Sequence, residues 1–165
     1  MDIYTIDIDA ELEVLRTKSL PVQNIDQNLV EYTDRMIEAI ENIGIGLAAP
    51  QVGRNERFFV IRLEKMKPLV FINPEIIGTS EELSSYEEGC LSIPGMYGDV
   101  KRPAAIQIQA WNQRGRPFQI EADGLLATCI QHEFDHLNGV LFMDHLSDRK
   151  REKLLKKYMK TVDRK

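Results

Sequence analysis

The amino-acid sequence predicts an α+β fold: a single domain of 165 residues, with mixed and antiparallel sheets packed around one central helix and further helices towards both ends. Three observations predict it. "AAIQIQAW" (Ala104 to Trp111) alternates apolar and polar residues, the period of a strand with one buried face. Leu29, Met36, Ile37 and Ile40 form a helical stripe behind Asp26, a residue type that starts helices. The elements then run helix, strands, helix, helix instead of alternating, which disfavours a doubly wound parallel sheet.

Each element has its own signal. The first helix is expected from Gln27 to Asn42, with Asp26 as N-cap and Gly44 as the stop. "RFFVIRL" (Arg57 to Leu63) and "LVFIN" (Leu69 to Asn73) read as strands, the second closed by Pro74. After the alternating strand, "NQRGRP" is a turn and "FQIE" the return of a hairpin. Asp123 is placed to cap the central helix, which runs to about Asn138 with Gly139 just beyond its end. From Asp148 a last helix follows, with Leu154, Leu155, Tyr158 and Met159 as its apolar stripe. No repeat, low-complexity tract or long linker divides the chain.

Composition narrows the function classes. No apolar run approaches the roughly 20 residues that cross a bilayer, so no membrane partner is expected. The start, "MDIYTIDIDAELEVLR", carries acids where a secretory leader carries basic and then apolar residues, and the cytoplasm is the expected location. There, two cysteines, Cys90 and Cys129, suit thiol or metal chemistry better than a disulfide. The net charge of −5 divides unevenly: residues 147–165 carry +6 and the remainder −11. An acidic body argues against DNA as a partner, while the basic tail leaves open one local contact with something anionic.

The chemistry is concentrated in "IQHEFDHLNG" (Ile130 to Gly139). His132 and His136, four apart on a helix, share one face and can converge on one ion. Glu133 points about 100° away, free to act on a water as general base without binding the ion. Two histidines are too few, because a catalytic site takes a third protein ligand and keeps one position open. Phe142 stands where one extended form of the motif has its third histidine. Glu152 lies among Arg149, Lys150, Arg151 and Lys153 and reads as a solvated charge, and nothing places His145. Cys129 is seven residues from His136, about 10 Å of helical rise, so it reads as a small core residue. Cys90, in the tight "EEGCLSIPG" segment, is the favoured third ligand. On these residues alone, a metallopeptidase with the same ion and base stays open, as does a module in which the ion only staples the fold.

Three segments in order, "GIGLAAPQ" (Gly44 to Gln51), "EGCLS" (Glu88 to Ser92) and "QHEFDH" (Gln131 to His136), resemble the signature motifs of peptide deformylases. "LRTKSLPV" and "EADGLLA" resemble the same family, so the likeness spans nearly the whole chain. It implies hydrolysis of the N-formyl group from the initiator methionine of new polypeptides, giving formate. It also implies one divalent ion, Fe(II) physiologically, with Zn, Ni or Co able to take its place. Carried over to this chain, the pattern makes Cys90, His132 and His136 the ligands and Glu133 the base. The Gln51 side-chain amide and the Leu91 backbone N–H become donors to the developing oxyanion. Gly44, Ile45, Gly46, Gly89, Tyr97, Thr128 and Cys129 become the substrate-binding residues. Two positions depart from the pattern: Tyr97 where Arg is frequent, and Thr128 where an aliphatic residue is common. Glu88 and Arg102 are a candidate supporting pair. Because the family acts on nascent chains, the tail is expected to meet the ribosome near its exit tunnel.

Overall fold

The computed structural model describes residues 1–164. Two antiparallel sheets and four α-helices build an α+β architecture. After α1 (Asp9–Arg16) and α2 (Gln27–Ala39) come β1 (Gly46–Ala48), β2 (Phe58–Ile61) and β3 (Leu69–Thr79). The hairpin β4 (Leu83–Cys90) and β5 (Ile93–Pro103) forms a sheet of its own. β6 (Ala105–Trp111) and β7 (Pro117–Asp123) return to the first sheet, whose order is β1-β2-β3-β6-β7. α3 (Gly124–Leu137) and α4 (Asp148–Asp163) complete the chain.

Strand periodicity explains how the layers stack. Successive strand residues face opposite sides, so β2 sends Phe59 and Ile61 one way and Phe58 and Val60 the other. Phe59, Ile61 and Phe71 pack with Ala127, Ile130 and Leu137 of α3. Phe58, Val60 and Ile72 pack with Leu29 and Met36 of α2 and with Ile40, which caps its end. The sheet therefore lies between two helices, and all four β2 residues are buried, as a strand covered on both faces requires. A third cluster joins Leu15 of α1, Val100 of β5, Phe142, and Leu154 and Tyr158 of α4. Truncating one of these rings to alanine removes about 3–5 kcal/mol.

Several expectations are corrected. Pro74 does not close β3: the strand continues to Thr79, and its ladder to β6 shifts register between Ile72 and Glu75, where a missing N–H is tolerated. α2 ends at Ala39, before the expected Asn42. Asp26 caps α2 through Leu29 N at 2.9 Å, but the Asp123 side chain makes no cap bond to α3. α1 and the β4–β5 hairpin were not expected. The basic tail forms α4 as read, although Lys165, its last residue, lies outside the described residues.

Candidate metal centre and cleft

α3 is held as a rigid mount. Nine of its residues are buried, among them His132, Glu133 and His136. Its last turn is tied down by Arg57, which donates to Leu137 O at 3.0 Å, and by Ser19 N at 2.8 Å to the same carbonyl. One helical turn brings the two imidazole centroids to 5.1 Å. Phe142, in the place where another motif would have a third histidine, stacks its ring on His132 at 6.2 Å.

Cys90 arrives from the other sheet. It ends β4, where the ladder slips between Gly89 and Cys90, and such an irregularity re-aims a side chain. Its Sγ lies 3.4 Å from His136 Nε2. One donor atom each from Cys90, His132 and His136 falls within 4.8 Å of the others. Cys129 stays outside: burial, and then Glu133, pushes its thiol up to about 12, so it remains protonated.

These donors fit a transition-metal ion. Two imidazoles and a thiolate suit Fe(II), Zn, Ni or Co, and three protein ligands leave a position for substrate or water. Glu88 Oε1 lies 2.9 Å from His132 Nδ1, which leaves Nε2 as the ring nitrogen for the ion. Burial lowers both imidazoles; for His136 the neighbouring His132 adds to it, and the ring is held neutral, the form able to bind an ion. For His132, burial is outweighed by Glu133, Cys90 and Glu88, and its pKa is held well above the usual range. A pocket that would hold a proton on a buried ring attracts a metal cation by the same field.

Glu133 is 4% exposed, and its Oε1 has no hydrogen-bond partner among the described residues. Burial pushes its carboxyl up to about 7, opposed first by His132. The carboxylate lies directly against β1: a Cβ on Gly46 would stand 2.5 Å from Oε2. A side chain there would displace the Glu133 carboxylate from its place.

The group lines a cleft of about 370 Å³. Gly44, Ile45, Gly46, Gln51, Gly89, Cys90, Leu91, Tyr97, Thr128, Cys129, His132 and Glu133 all face it. His136 sits beneath, 0% exposed. Gln51 is buried on the 3-10 turn 49–52, while Leu91 occupies the turn between β4 and β5. Tyr97 is 64% exposed at the mouth, its ring over Gly89. Sequence reasoning missed Tyr86, which no motif marks, and Leu125, which lies in the "EADGLLA" segment but was given no role there; both also line the cleft. It also missed the reach of the Glu88–Arg102 pair. The pair is buried, Arg102 also bonds Asp135 at 2.8 Å, and Asp135 meets His145 Nε2 at 2.8 Å.

A thiol, a helical histidine pair and a buried acid at the floor of an open cleft define a metal-dependent hydrolase. The profile of the polypeptide deformylase family matches residues 3–152. The chain belongs to that family, enzymes that remove the N-formyl group from nascent polypeptides and release formate. The peptide deformylase of Borreliella burgdorferi is 52% identical over 150 residues, covering 90% of this chain and 91% of that protein. That of Agrobacterium fabrum is 48% identical over 154 residues, covering 90% and 91%. Among solved structures, the Synechococcus elongatus peptide deformylase in complex with actinonin superposes with a TM-score of 0.88 at 44% identity, covering 95% of this chain and 86% of that one. The Legionella pneumophila peptide deformylase reaches a TM-score of 0.90 at 39% identity, covering 98% and 95%.

Proposed function

We propose that residues 1–165 form one catalytic domain in which Cys90, His132 and His136 hold the ion while Glu133, Gln51 and Leu91 act on the reacting atoms. The observation that carries this reading is the convergence of the three donor atoms within 4.8 Å at the floor of the cleft beside Glu133. Fe(II) is the expected physiological ion, with Zn, Ni or Co able to occupy the same donors. When bound, the ion supplies Lewis acidity, which polarises a carbonyl and makes a water easier to deprotonate.

The chain supplies the rest. Glu133 takes a proton from the water that attacks the formyl carbon. Gln51 Nε2 and the Leu91 backbone N–H donate to the oxygen that gains charge as the carbon becomes tetrahedral; one such donor contributes about 2.7–4 kcal/mol. Because the Cys90 thiolate gives the centre more electron density than a third imidazole would, a larger share of that charge falls to these two donors. Glu133 then passes its proton to the departing amine as the C–N bond breaks, leaving formate and a free N-terminus. A carboxyl with a pKa near neutrality suits both transfers.

Binding of formyl-methionyl chains is assigned to the cleft wall. β1 is the outer strand of its sheet, so an extended peptide can add along Gly44, Ile45 and Gly46 through main-chain bonds. Ile45, Thr128 and Cys129 wall the methionine side chain, and Gly89 with Tyr97 meets the residues that follow. We further propose that the enzyme works in the cytoplasm and that α4 docks on the ribosome near the exit tunnel.

Replacing Glu133 with alanine tests the mechanism. The ion content should stay intact while formate release from formyl-Met-Ala-Ser falls by about 10²–10⁴. Unchanged turnover would remove Glu133 from its role.

A further inference from the structure

We propose that Ser92 is a positioning residue for Gln51, setting the plane of the carboxamide that donates to the oxyanion. The inference rests on the role proposed above for Gln51.

The orientation of the amide is fixed by chemistry. Gln51 is 1% exposed, and its Oε1 accepts from Ala48 N–H at 2.9 Å. A backbone N–H can only donate, so this partner identifies the oxygen and sends the NH₂ the other way. There Nε2 reaches Ser92 Oγ at 3.2 Å and Cys90 Sγ at 3.5 Å. Nε2 carries two hydrogens. The Ser92 hydroxyl, 0% exposed, accepts one and leaves the second on the Cys90 side, where the cleft lies.

The last torsion of glutamine is broad and roughly two-fold, so its own rotamer preference does not set the amide plane. The plane is instead pinned at both ends, the oxygen by Ala48 and the nitrogen by Ser92. The main chain around each residue is held independently. Tyr4 N donates to Gln51 O at 2.7 Å, and Ile6 N donates to Ser92 O at 3.1 Å. The N-terminal segment therefore ties both residues in place, and the Ser92 hydroxyl is left to aim the side chain, not to hold the turn.

The test is a double-mutant cycle on the full-length, ion-loaded enzyme, with formate release from formyl-Met-Ala-Ser as the readout. Ion content and melting temperature are measured for every variant. Ser92→Ala should lower kcat roughly tenfold with KM and ion content retained. In a Gln51→Ala background, the same change should alter kcat by less than about twofold, because its target is already gone. Ser92→Thr, which keeps the hydroxyl, should hold kcat within about threefold of the parent. Equal losses from Ser92→Ala in both backgrounds would overturn the proposal, as would no loss in the parent. A folded Ser92→Thr enzyme as slow as Ser92→Ala would also overturn it. If Gln51→Ala itself leaves kcat intact, the donor role of Gln51 fails first, a result distinguishable from the others.

Discussion

Glu88 shows how much of the site is held from behind. Its Oε1 meets His132 Nδ1, and its two oxygens take Arg102 Nε at 2.7 Å and Nη2 at 3.0 Å. Burial raises the Glu88 carboxyl, but the bonds from His132 and Arg102 outweigh it and keep it below the ordinary carboxylate range. The charged form is therefore the one that fixes the imidazole, orienting it and raising its basicity as a ligand. Glu88→Gln should weaken ion binding by about 10–100-fold, measured by competition with a chelator. Undiminished affinity would reduce Glu88 to a structural charge. At this scale the three donors that the fold brings together were readable, because only three histidines and two cysteines exist and chemistry eliminates most combinations. The network behind them was not. Asp135 and His145 join it only because α3 and the 3-10 turn 142–145 meet beside Arg102, and sequence spacing carries no trace of that meeting.

At the scale of elements, the site depends on α3 stopping where it does. Gly139 follows the helix with φ at +74°, and a Cβ there would strike the Arg16 carbonyl oxygen. Arg16 in turn donates to Gly139 O at 3.0 Å and pairs with Asp144, joining the end of α3 to α1. Gly139→Ala should lower stability by more than about 1 kcal/mol, seen as a lower melting temperature in the ion-loaded protein. An unchanged melting temperature would mean that the turn relaxes freely. The helix itself was legible, since a histidine pair, an apolar lead and a terminal glycine all agree. The β4–β5 hairpin was not, because Leu83–Cys90 carries few apolar residues, so the alternation seen in its burial leaves no apolar–polar period in the sequence. α1 spans eight residues with Leu12, Val14 and Leu15 as its large apolar side chains and buries only Leu15, too short a run for a stripe to stand out. Pro74 misled because proline usually ends a ladder, whereas here a register shift absorbs it.

The whole molecule sets an acidic body against a basic tail. α4 buries Leu154 and Tyr158, and Tyr158 donates to Asp7 at 2.5 Å, so the helix is part of the fold. Its Lys153, Lys156, Lys157 and Lys160 remain exposed, a surface suited to an anionic partner. Truncating the tail would remove the Tyr158 anchor along with the charge, so reversing those four lysines to glutamate is the cleaner change. The variant should keep its activity on short formylated peptides and pellet less with ribosomes at moderate salt. Unaltered pelleting would count against docking. The charge division was plain in the sequence; which face of α4 would point outward became clear only from its packing.

The proposed chemistry requires one sulfur from β4 and two imidazoles from α3 to share a single ion. Protein purified without oxygen, assayed for metal per chain and for formate release, tests it most directly when the parent is compared with Cys90→Ala. One divalent ion per active chain is expected in the parent, with both ion and turnover lost when the thiol is removed. A Cys90→Ala protein that retains its full ion content would contradict it.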